Sequence, residues 1–160
     1  MLINTVSNTI SQSVNINLPS QNEIQEVKEE LNSTIKSPTP EDQLEEEIEE
    51  FLATEGSDLN FALAKLRMKI ERELRRILQK RLDTKEPNRM KGKFLSARSL
   101  FREFISQYPE YKGMYGSFDY ILKVCNAAIH GQNISPGHAQ EALQMGLKML
   151  DELKSINNGL

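Results

Sequence analysis

The feature that most constrains the fold is a stretch of about residues 59–82 in which apolar side chains recur every three or four positions. That spacing places them along one side of an α-helix and does not fit the two-residue period of a strand. The apolar positions are Leu59, Leu63, Leu66, Ile70, Leu74, Ile77 and Leu78. A helix with one apolar side must bury that side against other elements, so the stretch predicts a bundle of helices around it.

The same period recurs in four further segments, at about residues 41–52, 94–107, 118–130 and 136–156. Helix-capping residues mark several of their ends, with Thr39 and Ser117 as predicted N-caps and Gly131 as a predicted stop. Tryptophan is absent and only 6% of the chain is aromatic, which favours a helical core over a β-sandwich. We therefore predict an all-α fold, an antiparallel bundle of about five helices, with polar loops at 83–92 and 109–117.

The first 40 residues are polar and carry no comparable apolar stripe. Helical spacing of Ile24, Val27 and Leu31 predicts a short helix at 21–31, too short to be stable alone. The run Ser37-Pro38-Thr39-Pro40 is typical of a linker. We predict a flexible arm and linker over residues 1–40 and one helical domain over residues 41–160.

Charge is unevenly distributed along the chain, although the formal net charge is only −3. Residues 41–58 hold nine acids and no Lys or Arg, whereas residues 65–93 hold twelve Lys and Arg against four acids. The basic stretch is either a nucleic-acid-binding surface or a solvated helix face partly neutralised by the acidic helix. Its loop portion is the stronger nucleic-acid-binding candidate, because binding residues are common in loops: Lys85, Arg89, Lys91 and Lys93.

The cysteine count and the hydropathy pattern indicate the cellular compartment in which the protein is expected. Cys125 is the single cysteine, so an intramolecular disulfide is impossible and a cysteine-based metal site is not predicted. No secretory signal pattern or membrane-spanning apolar run is evident, which predicts a cytoplasmic protein without membrane contact. No cofactor or metal is predicted.

One helix combines residues that could carry chemistry. On a period of 3.6 residues, Asp119, Lys123, Asn126 and His130 fall on the same side of the helix at 118–130. An imidazole can accept a proton near neutral pH, an ammonium can offset charge on phosphate oxygens, and an amide can orient either partner. Lys123, Asn126 and His130 are therefore candidate catalytic or phosphate-binding residues.

A simpler explanation of the same stripe is open. Every amphipathic helix has a polar side, and a cation at its C-terminus, the place of His130, is mildly favourable. Asp119 and Lys123 form an ordinary ion pair four residues apart. On this explanation the stripe is a solvated helix face without a binding role.

The sequence Val124-Cys125-Asn126-Ala127-Ala128-Ile129-His130-Gly131, followed by a long final helix, resembles the HEPN-like superfamily of bacterial helical domains. The early helix at Leu63-Ala64-Lys65-Leu66-Arg67 is similar too, and the resemblance covers about residues 59–156. It implies the bundle fold and a homodimer in which two motifs face a shared cleft. Many members are metal-independent endoribonucleases whose motif is an arginine, four to six intervening residues and then a histidine.

The resemblance carries over only in part. His130 matches the family histidine and Asn126 the polar position, but Cys125, Val124 and Lys123 occupy the three positions where the arginine could lie. Lysine lacks the planar fork that holds phosphate through two hydrogen bonds. The substitution favours a non-catalytic interaction module that binds RNA or a partner protein. The alternatives are a metal-independent endoribonuclease using His130, Asn126 and Lys123, and a purely structural oligomerisation domain.

Overall fold

The computed structural model describes residues 18–55, 58–85 and 96–156, and every regular element within these ranges is a helix. In chain order they are α1 (Gln21–Thr34), α2 (Glu41–Glu55), α3 (Leu59–Lys85), α4 (Ala97–Gln107), a 3-10 helix (Pro109–Met114), α5 (Tyr115–Ile129) and α6 (Pro136–Ser155). The predicted all-α fold is confirmed. None of the described helices combines the length and the apolar character needed to cross a bilayer.

Helix α3 lies at the centre of the bundle and packs against α2, α4, α5 and α6. Its predicted apolar stripe is buried from Leu63 to Leu78. The contact with α6 is close at Gly146, where an added Cβ would overlap the Cδ2 atom of Leu66. The predicted stripe of α6 is buried as well, at Ala139, Leu143, Leu147, Leu150 and Leu153. The two longest apolar patterns in the sequence therefore form the middle of the core.

Capping residues set several helix ends as their chemistry predicts. The Ser135 hydroxyl accepts the His138 N–H at 3.2 Å at the start of α6. Gly131 follows α5 with a φ of 70°, a conformation that glycine adopts without strain. Thr39, predicted as an N-cap, lies two residues before the start of α2 at Glu41, and its hydroxyl donates to Asp151 on α6 at 3.0 Å.

The loop predicted over residues 109–117 is wrong, since the 3-10 helix and the first turn of α5 occupy it. Ser117, predicted as an N-cap, is buried inside α5 and donates its hydroxyl to the Met114 carbonyl at 2.9 Å. The two glycines that suggested a loop are contact points for α1. A Cβ on Gly113 would overlap the Thr34 hydroxyl, and one on Gly116 would lie 3.0 Å from Val27.

The helix predicted at 21–31 is α1, which extends from Gln21 to Thr34. It packs against the 3-10 helix, α5 and α6, and it buries Ile24 and Leu31. An ion pair of 2.9 Å between Lys28 and Glu141 of α6 adds to the contact. Residues 18–34 are thus part of the bundle, which differs from the flexible arm that the sequence predicted for this part. Residues 1–17 lie outside the described residues.

Candidate nucleic-acid interface

Helix α5 places the four polar residues found in the sequence on one side of the bundle. The helix is continuous from Tyr115 to Ile129, so Asp119, Lys123 and Asn126 share a narrow sector of its surface. His130 ends it, with its N–H donating to the Asn126 carbonyl at 3.0 Å. Lys123 and His130 are exposed, and Asp119 and Asn126 are half-buried. We call these four residues the α5 polar face.

An arginine from α3 reaches this face. Arg67 Nη1 donates to Asn126 Oδ1 at 2.7 Å, and its Nε donates to Glu71 Oε1 at 3.0 Å. Two partners at fixed positions hold the guanidinium plane beside Asn126, one helical turn from His130. The face therefore contains the guanidinium that the α5 sequence lacks, supplied by another helix.

The other end of the α5 polar face is organised around a carboxylate. Asp119 accepts a short hydrogen bond from Arg98 of α4 and pairs with Lys123 at 3.2 Å. Burial opposes ionisation of Asp119, but the hydrogen bonds from Arg98 and Lys123 and their positive charges outweigh it, so the pKa of this carboxyl is lowered. Asp119 is thus a carboxylate at neutral pH that anchors two cations.

Tyr115 extends this polar surface to the first turn of α5. Hydrogen bonds with Arg98 and then with Arg102 lower the pKa of the Tyr115 hydroxyl, because both guanidinium groups favour the phenolate form. Arg102 is exposed. We call Arg67, Arg98 and Arg102 the flanking arginines, since they border the α5 polar face from α3 and α4.

A cavity of about 300 Å³ lies between α1 and α5. Asp119 and Lys123 line it together with Glu23 of α1 and Tyr120 of α5. Asn126 and His130 are not among its lining residues. The predicted set Lys123, Asn126 and His130 therefore shares a helix side, but this concavity reaches only its Lys123 end.

The predicted basic loop cannot be placed beside this surface. Lys85 is the last residue of α3, and its side chain lies outside the described part of the structure. The other three candidates lie outside the described residues altogether: Arg89, Lys91 and Lys93. Their nucleic-acid-binding role stays a prediction.

Sequence reasoning missed the flanking arginines as site residues. Arg67 belonged to the basic stretch at 65–93, but its position on the rim of the α3 apolar stripe, four residues after Leu63, was the signal that it borders a neighbouring helix. Arg98 and Arg102 are four residues apart on α4, on either side of Phe101 in the sequence, and the Phe101 ring stacks on Phe118 of α5. Only the fold brings them to α5.

The arrangement suits anion binding better than proton transfer. Guanidinium and ammonium groups beside an exposed imidazole can contact phosphate oxygens. Proton transfer needs a positioned partner for His130, and the side chain that could serve is engaged elsewhere. The Asn126 amide oxygen already accepts a hydrogen bond from Arg67.

Comparison with known proteins adds no further constraint. No protein family, no curated protein and no solved structure matches the chain. The likeness to the HEPN-like superfamily therefore rests on the residues quoted above and stays a prediction.

Proposed function

We propose that this chain is a non-catalytic, HEPN-like interaction module that binds RNA through the α5 polar face and the flanking arginines. The contact that carries the proposal is the 2.7 Å hydrogen bond from Arg67 to Asn126. It holds a planar guanidinium on the same surface as the exposed side chains of Lys123 and His130. Side chains of these three types bind the phosphates of a nucleic-acid backbone.

RNA is favoured over a protein partner by the chemistry of this surface. Its exposed positions are cationic or imidazole, at Arg102, Lys123 and His130. A protein interface usually has an apolar centre, and along this face Ile129 is the one large apolar side chain that is strongly exposed among the described residues. A charged surface with little apolar area matches phosphate binding, which is electrostatic and salt-dependent.

The way in which the candidate groups are engaged supports the non-catalytic part of the proposal. In general acid–base catalysis a histidine abstracts a proton from a hydroxyl while another group stabilises the charge that develops. The Asn126 amide oxygen is engaged by Arg67, so it is not available to orient the imidazole. His130 is then an exposed imidazole without a described side-chain hydrogen bond that would orient it.

A binding experiment tests the proposal. Fluorescence anisotropy with a labelled single-stranded RNA is measured over a salt series for the wild type, Lys123→Gln and Arg102→Gln. Each variant is expected to weaken binding and to lower the slope of log affinity against log salt by about 1, because each removes one phosphate contact. Lys36→Gln, which removes an exposed cation between α1 and α2, is the matched control and should bind as the wild type does. Unchanged binding by both test variants, or no binding at low salt, contradicts the proposal.

The second candidate function is a metal-independent endoribonuclease that uses His130, Asn126 and Lys123. One observation favours it: Arg67 supplies the guanidinium that the family motif would carry on α5. The RNA is incubated with wild type, His130→Ala and Lys123→Ala, with and without a chelator. We expect no turnover by any of them. Cleavage by the wild type that disappears in folded His130→Ala would replace the binding module with the enzyme.

A further inference from the structure

The outer surface of α3 exposes large apolar side chains outside the α5 polar face. Phe61 and Met68 are 50% and 52% exposed, and their spacing of seven residues places them on the same side of the helix. Lys65 lies between them with its Nζ atom 5.4 Å from the Phe61 ring centre, and Arg72 continues the row. We call Phe61, Lys65, Met68 and Arg72 the α3 outer face. Exposed apolar groups surrounded by charge are typical of an interaction surface.

Helix α2, which packs beside α3, exposes the opposite charge. The contact between the two helices includes Lys69, whose Nζ atom lies 5.8 Å from the Phe51 ring centre. The solvent side of α2 carries only acids among its charged residues. We call its exposed acids the α2 outer face: Glu41, Asp42, Glu45, Glu46, Glu49 and Glu50. An acidic row and a basic, partly apolar row therefore lie side by side on the surface of a single chain.

We propose that this paired surface docks a second copy of the same chain and forms a symmetric dimer. A two-fold axis parallel to the helices moves α2 of the partner onto α3 and α3 of the partner onto α2. Each acidic row then meets a basic row, and the four helices form an intermolecular bundle that covers Phe61 and Met68. A two-fold axis perpendicular to the helices and in the plane of the pair would place acid on acid, so charge selects the first arrangement.

This dimer goes beyond the proposed RNA binding and does not depend on it. It uses the outer surface of α2 and α3, whereas a dimer whose two α5 polar faces line a shared cleft would use α5. The dimer through α2 and α3 and the dimer through α5 differ in which exposed apolar residues they would bury. Only the first requires Phe61 and Met68, and only the second requires Ile129, which is 46% exposed at the end of α5.

The first test measures the mass of the full chain by light scattering or sedimentation over a concentration series. The double variant Phe61→Ser/Met68→Ser is expected to raise the dimer dissociation constant by at least about tenfold, because it removes the apolar part of the surface. Ile129→Ser is the matched control and should dimerise as the wild type does. A wild type that remains monomeric at every concentration, or a dimer lost in Ile129→Ser and kept in the double variant, overturns the proposal.

The second test distinguishes a second copy from any other occupant. The variant Lys65→Glu/Arg72→Glu makes both rows acidic. The variant Glu41→Lys/Glu45→Lys/Glu46→Lys/Glu49→Lys leaves two acids against four lysines on the α2 outer face, so that both rows are basic. Each alone should be monomeric through like-charge repulsion, and an equimolar mixture should form a heterodimer with the wild-type mass. Five of the six substituted positions are exposed and Lys65 is half-buried, and circular dichroism checks that both variants keep the fold. Failure of the mixture to associate overturns the charge-paired dimer.

Discussion

At the scale of single residues, one carboxyl group couples stability to pH. Glu47 of α2 faces Asp151 of α6, which also accepts the Thr39 hydroxyl at 3.0 Å. Burial, the hydrogen bond with Asp151 and repulsion from its charge raise the pKa of Glu47 from 4.5 to about 7. The folded state therefore binds this proton more tightly than the unfolded state does. Its stabilising effect is fully present below pH 4.5 and is lost as the pH rises through 7.

The variant Glu47→Gln should remove this pH dependence, because an amide is neutral throughout the range. Its free energy of unfolding relative to the wild type should increase steadily as the pH rises from below 4.5 to above 7. Urea unfolding at several pH values measures the difference. Glu46→Gln, an exposed position on the same helix, serves as the control and should show a constant difference. A constant difference for Glu47→Gln as well would show that the two carboxyl groups do not share a proton.

The candidate site was predictable from the sequence where it lies on one helix and not where it lies between helices. The period of α5 correctly put Lys123, Asn126 and His130 on one side, because helix geometry relates them directly. Arg67 is 59 residues from Asn126 in the chain, and only the packing of α3 on α5 brings the two together. Local periodicity holds no information about that distance, so the guanidinium was expected on α5 and not on α3.

At the scale of elements, the apolar periods correctly predicted the central helices, whereas two glycines led to the wrong prediction of a loop. The stripes of α3 and α6 are long enough that only a helix can bury them. Gly113 and Gly116 suggested a loop, yet each is small because α1 crosses it at Thr34 and Val27. The reason for a glycine at each position becomes clear only once the helix that packs against it is known. Because α1 is short and polar, the sequence did not identify it as that partner.

The connection between α1 and α2 is held to the bundle by one buried carboxylate. Glu152 of α6, only 1% exposed, accepts the backbone N–H groups of Lys36 and Ser37 at 3.0 and 3.3 Å. It also accepts the Tyr111 hydroxyl of the 3-10 helix at 3.0 Å. Three donors on one carboxylate join the connection, the 3-10 helix and α6, so the loss of this carboxylate affects three elements at once.

Replacing Glu152 with Gln should destabilise the protein by about 2 kcal/mol, since a hydrogen bond to a charged acceptor contributes about 1.5–3 kcal/mol. In the variant an amide NH₂ group replaces one carboxylate oxygen. It would face a hydrogen-bond donor at a position where the oxygen accepted a hydrogen bond. Tyr111→Phe, which removes one of the three donors, should cost about 1 kcal/mol. Urea unfolding compares both with Glu110→Gln, whose exposed ion pair with Lys36 should contribute little. Equal stability of Glu152→Gln and Glu110→Gln would mean that the carboxylate does not hold the connection.

At the scale of the whole molecule, the single cysteine reports on the opening of the bundle. Cys125 is fully buried on α5, and burial raises the pKa of its thiol to about 12. The thiolate is the form that reacts with thiol reagents, so the folded chain is protected both by burial and by protonation. Labelling therefore proceeds through open states, and its rate follows their population.

Removing residues 1–40 tests whether α1 belongs to the cooperative bundle. The deletion exposes the surfaces that cover Ile24 and Leu31, and burial of such side chains contributes about 1.5–3 kcal/mol each. Since about 1.4 kcal/mol corresponds to a tenfold change in a population, Cys125 should react about 100-fold faster or more. Glu26→Ala, an exposed position on α1, should leave the rate unchanged in the full chain. A helix that shares the core cannot be removed without raising the population of open states. Equal labelling rates for the shortened and full chains would therefore show that α1 is not part of the cooperative bundle.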